Sequence, residues 1–134
     1  MNIRTLAIRL SGIGVIGALL TFTVPSVAFA SSNDGSCDWG EVCLYYYNSF
    51  QGPIGDTVNN YTNYAIYTFH NSSLPLNDDV DSVRNLDPNF GVTLYQNESF
   101  NTNVAGWSLW IPPNGSEATL GAYNNEASSH HWGN

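Results

Sequence analysis

The residues best equipped for chemistry stand in two short phrases, "NDDVDS" at residues 77–82 and "NNEASS" at residues 124–129. Each crowds amide, carboxylate and hydroxyl oxygens together, the donors that a hard divalent cation takes. The competing reading is a pair of polar turns whose side chains satisfy only their own backbone. Two copies of such a crowd exceed what a turn requires, which favours the cation. The charge balance agrees: 11 Asp and Glu stand against 3 Lys and Arg, for a formal net charge of −8. An acidic surface attracts cations and repels both nucleic acid and anionic lipid.

Catalytic groups are scarce. His70, His130 and His131 are the only imidazoles, and no serine, base and orienting carboxylate fall into a nucleophilic pattern. His130 and His131 sit in "SSHHW", where neighbours on a strand point to opposite faces. They also occupy the places of Val83 and Arg84 in the first half, so a structural role is expected and an enzyme is not.

The first thirty residues, "MNIRTLAIRLSGIGVIGALLTFTVPSVAFA", join two arginines, an apolar run and a small-residue ending at Ala28 and Ala30. These are the parts of an export signal, which predicts cleavage after Ala30, a secreted domain over residues 31–134 and no membrane attachment afterwards. Only Arg84 among the basic residues lies beyond that point. In an exported chain the even cysteine count predicts a Cys37–Cys43 disulfide that pins the N-terminal segment to the first strand. A redox-active pair would have two intervening residues, whereas "CDWGEVC" has five.

The elements that must position these groups read as strands. "VCLYYY", "YAIYTFH", "SVRNL", "GVTLYQ", "WSLWI" and "SSHHW" are rich in β-branched and aromatic residues and are separated by Asn, Gly, Pro and Ser clusters. With no helical periodicity, this predicts an antiparallel all-β domain. The chain also repeats itself: Val42, Leu44, Tyr45, Ser49 and Phe50 recur in order and spacing as Val92, Leu94, Tyr95, Ser99 and Phe100. Two Greek keys, about 37–88 and 89–134, would then pack as a sandwich. Trp39, Trp107, Trp110, Trp132 and the run Tyr45, Tyr46, Tyr47 could form a sugar platform, but such aromatics are more often core. "TFHNSSLPLN" and "PPNG" read as exposed loops.

The spacing of Tyr45, Phe50 and Gly52 resembles the Greek-key signature of βγ-crystallins, in which the glycine permits a folded hairpin. The second half keeps Tyr95 and Phe100 but has Thr102 in the glycine's place, which predicts a distorted or shifted hairpin there. The two oxygen-rich phrases resemble the calcium motif of the same family. Asn124, Asn125, Ser128 and Ser129 fit it fully; Asn77, Asp78 and Ser82 also fit, with Asp81 where a hydroxyl residue is usual. The resemblance implies calcium held in sites that the two loops share. Its ligands would come from Asn77, Asp78, Asp79, Asp81, Asn124, Asn125, Glu126 and Ser128, with Asp79 and Glu126 serving through backbone carbonyls. More narrowly, "CDWGEVCLY" and "YNNEASSHHW" resemble the secreted bacterial peptidase inhibitors typified by the actinobacterial metalloproteinase inhibitor. That implies a monomeric extracellular protein whose partner is a secreted metalloproteinase, although no stretch of sequence marks the inhibitory loop. The rival reading is a calcium-stabilised extracellular structural or stress protein with no protease target.

Overall fold

The computed structural model describes residues 30–133. Apart from Ala30, the expected export signal lies outside the described residues. Among them, seven strands form two antiparallel sheets: β1 (Val42–Tyr47), β2 (Gln51–Thr57), β3 (Ser82–Asn85), β4 (Val92–Tyr95), β5 (Ser108–Ile111), β6 (Ser116–Glu117) and β7 (Ser129–Trp132). One sheet runs β2-β1-β3-β6 and the other β5-β4-β7. The inward-facing side chains Val42, Leu44, Val83, Val92, Leu94 and Ile111 make the shared core, joined from the connections by Tyr64, Phe69, Leu76, Val80, Leu120 and Ala127. Residues 42–45 of β1 are buried on both faces because the N-terminal segment covers the outer side, with Cys37 bonded to Cys43.

The two halves exchange strands. β6, from the second half, completes the first sheet by pairing with β3. In return Tyr61, from the first half, bridges His130 on the free edge of the second sheet. The second half thus covers the β3 edge and the first half covers part of the β7 edge, which ties the halves together, while β2 and β5 remain the outer strands of their sheets.

Duplication is also visible in the hairpins. Tyr45 meets Phe50 with ring centroids 5.8 Å apart, and Tyr95 meets Phe100 at 5.7 Å. Ser82 Oγ donates to the Tyr47 carbonyl at 2.7 Å and accepts from Phe50 N; Ser129 Oγ does the same with Asn97 O, at 2.6 Å, and Phe100 N. Arg84 lies over the Phe50 ring as His131 does against Phe100. In the first hairpin Gly52 has φ +82°, and a Cβ there would stand 2.5 Å from the Tyr47 ring. Gly52→Ala is therefore expected to destabilise the fold by about 1–3 kcal/mol, read as a lower denaturation midpoint. An unchanged midpoint would show that the hairpin needs no glycine.

The second hairpin departs as the missing glycine predicts. Leu44 pairs with Gly55, but Leu94 pairs with Leu109, so the second connection is four residues longer. Asn101 takes the left-handed conformation instead, at φ 61°. Three other expectations need correction. "YAIYTFH" is not a strand: Asn63 caps a 3₁₀ turn, Tyr64–Ile66, by accepting from Ala65 N, because Tyr64 is drawn fully into the core. "TFHNSSLPLN" is not simply exposed, since Phe69 and Leu76 are core residues. Trp39, Tyr47 and Trp110 are not core: they are 68%, 54% and 53% exposed.

Candidate functional site

The two oxygen-rich loops lie against each other. Asp78 N donates to Ala127 O at 3.1 Å, and Asn125 N donates to Val80 O at 3.2 Å, a reciprocal clasp. The side chains pair crosswise. Ser128 Oγ donates to Asp78 Oδ1 at 3.1 Å, and Asn124 stands beside Asp81. Asp81 Oδ1 and Asn124 Oδ1 are buried with no hydrogen-bond partner. An unmet buried carboxylate oxygen is costly, so this pair suits a cation better than it suits a plain turn. Burial raises the Asp81 carboxyl above its ordinary range, a hydrogen bond from the Asn124 side chain opposes that in part, and the charge of Asp79 adds to it. Asp79 is raised by burial and then by Asp78.

Other residues of the two phrases have different duties. Ser82 and Ser129 hold the hairpins, as described above. Asn77 Nδ2 donates to Asp78 Oδ2 at 2.6 Å, which orients that carboxylate. The Glu126 carboxylate accepts from Trp107 Nε1 at 3.0 Å and Gln96 Nε2 at 3.4 Å, so its side chain is engaged and its carbonyl is the donor to consider. Asp78, Asn125, Glu126 and Ser128 line an open depression of about 380 Å³. Among the described residues no three His, Cys, Asp or Glu side chains converge on one point. A cation here would therefore draw on amide, hydroxyl and carbonyl oxygens, a set that suits calcium rather than zinc.

The longer second hairpin produces a feature that residue types alone did not mark. Residues 102–106 are all exposed, with Val104 at the tip 61% exposed. Its base is tied down: Asn97 N donates to Asn101 Oδ1 at 2.9 Å, Asn101 Nδ2 to Trp107 O at 2.9 Å, and Asn97 Nδ2 to Val104 O at 3.3 Å. A neighbouring turn buttresses it, with Ser99 N donating to Thr62 O at 2.7 Å and Asn63 Nδ2 to Glu98 Oε2 at 2.6 Å. The available signal was the extra length between Phe100 and Trp107 compared with the first half.

The histidines offer no catalytic arrangement. His130 is fully buried, its Nε2 donating to Asn59 O at 2.8 Å and its Nδ1 accepting from the Tyr64 hydroxyl at 2.8 Å. Burial pushes its pKa down to about 4, so the ring is neutral. His70 bonds the carbonyl of Asn33 through Nδ1, which helps hold the N-terminal segment.

The model of one protein family, the peptidase inhibitor family I36, matches residues 30–108, more than half of the chain. The chain belongs to peptidase inhibitor family I36. No curated protein sequence matches it. Among solved structures it is similar to one determined for the evolution of the eye-lens βγ-crystallin domain fold: TM-score 0.59, 23% identity, covering 76% of this chain and 94% of that one. It is also similar to the N-terminal domain of protein S (TM-score 0.54, 27% identity, 69% and 93% covered) and to spherulin 3a from Physarum polycephalum (0.54, 25%, 74% and 87%). The I36 protein thus has the expected βγ-crystallin-like, all-β Greek-key fold. Its cysteines form the expected Cys37–Cys43 disulfide. Membership of I36 points to a protease as partner and to binding rather than catalysis. The disulfide is in keeping with an extracellular protein, and no helix among the described residues is long and apolar enough to cross a membrane.

Proposed function

We propose that this I36 protein is a secreted inhibitor of a metalloproteinase, and that calcium bound between its paired loops stiffens the scaffold. The observation that carries the inhibitory reading is the exposed segment 102–106, held at its base by Asn97 and Asn101. A loop already fixed in one conformation loses little entropy on docking, so a standard protease–inhibitor interface can be tight. A loose loop would be cut as a substrate. Val104 offers an apolar anchor for a hydrophobic subsite, and the resemblance to the actinobacterial inhibitor favours a metalloenzyme. The calcium reading is supported by the crosswise pairing of Asp78 with Ser128 and by the unmet oxygens of Asp81 and Asn124. These side chains would hold the ion together with carbonyls of the two loops, and the ion would supply the positive charge that the loops lack.

The test incubates the mature protein with thermolysin-like and serine proteases and follows both inhibition and cleavage of the protein itself. Stoichiometric inhibition of a metalloenzyme is expected. Val104→Asp should weaken it a hundredfold or more while leaving the melting temperature unchanged. No inhibition across the panel would overturn the reading.

A further inference from the structure

We propose that the turn at residues 63–67 is a second contact on the same protease, its tip Ile66 seating in an apolar depression beside the enzyme's cleft; this rests on the inhibitory reading above. Interface area motivates the search for a second contact. Protease–inhibitor complexes bury about 800 Å² on each partner, from roughly 20–30 residues, and residues 102–106 cannot supply that alone. The surface adjoining the loop must contribute.

The turn is the part of that surface built to do so. Ala65 and Val104 line one depression of about 370 Å³ together with Asn97, Glu98 and Ser128. The hydrogen bonds from Ser99 N to Thr62 O and from Asn63 to Glu98 join turn and loop into one unit. The turn is itself anchored on both sides of its tip. Tyr64 is buried, with its N donating to Ser128 O at 2.8 Å and its hydroxyl bonded to His130. Tyr67 N donates to Tyr64 O at 3.0 Å, and the Tyr67 ring stacks on Tyr61 at 3.8 Å.

Between these anchors Ile66 is 75% exposed, the highest value among the exposed large hydrophobic residues. An isoleucine left in water forgoes its hydrophobic burial, and a rigid turn gives it no means to fold back. No basic or acidic side chain stands in the turn, and the Glu98 carboxylate of the adjoining loop is engaged by Asn63. The matching surface on the partner is therefore uncharged and apolar. Asn103, on the loop side of the same depression, adds an amide able to bond a backbone.

The experiment measures inhibition constants and melting temperatures for the wild type, Ile66→Ala, Ile66→Asp and Val104→Asp, against the metalloproteinase of the panel that is inhibited most strongly. Ile66→Ala is expected to raise the inhibition constant about tenfold and Ile66→Asp more, each with a melting temperature within a degree or two of the wild type. If both Ile66 variants inhibit as the wild type does while Val104→Asp fails, this inference is wrong and the inhibitory reading stands. If the wild type inhibits nothing, both fall together.

Discussion

At pH 8 the Glu41→Gln protein is expected to melt on the order of 10 °C above the wild type, and at pH 4.5 the two should melt together. Glu41 is fully buried under the N-terminal segment, with Oε2 accepting from Asp38 N at 2.9 Å and Oε1 without a partner. Burial, with smaller contributions from Asp56, Asp34 and Asp38, pushes its pKa from 4.5 up to about 7. Because the folded pKa is raised, the stability it allows is fully present below pH 4.5 and is lost as pH rises through 7. The loss amounts to about 3 kcal/mol at full ionisation. Glutamine copies the shape of the protonated side chain and cannot ionise, so it removes the loss without altering packing. His130 acts in the opposite sense. Its folded pKa is lowered from 6.5 to about 4, so its contribution is present above pH 6.5 and is lost as pH falls toward 4. The two slopes offset each other in the wild type between about pH 4.5 and 6.5. Glu41→Gln should uncover the histidine slope as a melting temperature that climbs with pH. Melting curves that differ by the same amount at every pH would disprove the account.

Millimolar calcium is expected to raise the melting temperature, and Asp81→Ala to reverse sign with it. When free calcium is a hundredfold above the dissociation constant, linkage stabilises the native state by about 2.7 kcal/mol. For an extracellular module that constant is roughly 10⁻⁴ to 10⁻³ M. In chelator, Asp81→Ala removes a carboxylate oxygen that is buried without a partner. The variant should then be at least as stable as the wild type. In calcium it should be less stable, because a ligand is gone. Ser128→Ala should weaken the site facing Asp78 instead. Superimposed wild-type curves in calcium and chelator would reduce both loops to turns, and a variant that gains as much stability from calcium as the wild type does would give Asp81 a purely structural role.

With the exception of β2, whose Gly52, Pro53 and Gly55 carry no strand signal, and the two-residue β6, the sequence by itself determined the strands, the duplication, the cysteine pair and the aromatic pairs that close each hairpin. All of these are local: β-branched and aromatic runs bounded by Asn, Gly and Pro declare extended backbone, and spacing within a hairpin fixes which rings meet. The crowding of oxygens into two loops was legible for the same reason. Tertiary structure decided everything that depends on a partner distant in the chain. It turned "YAIYTFH" into a 3₁₀ turn, because burying Tyr64 against His130 outweighed strand propensity. It placed β6 in the first sheet and Tyr61 on the second, since the sequence declares an edge but not its neighbour. It gave the Glu126 carboxylate to Trp107 and left Asp81 Oδ1 and Asn124 Oδ1 unmet, a difference no spacing encodes. It also pushed residues 102–106 into solvent, because the second hairpin closes only at the Tyr95–Ser108 pair and the surplus chain between them bulges outward.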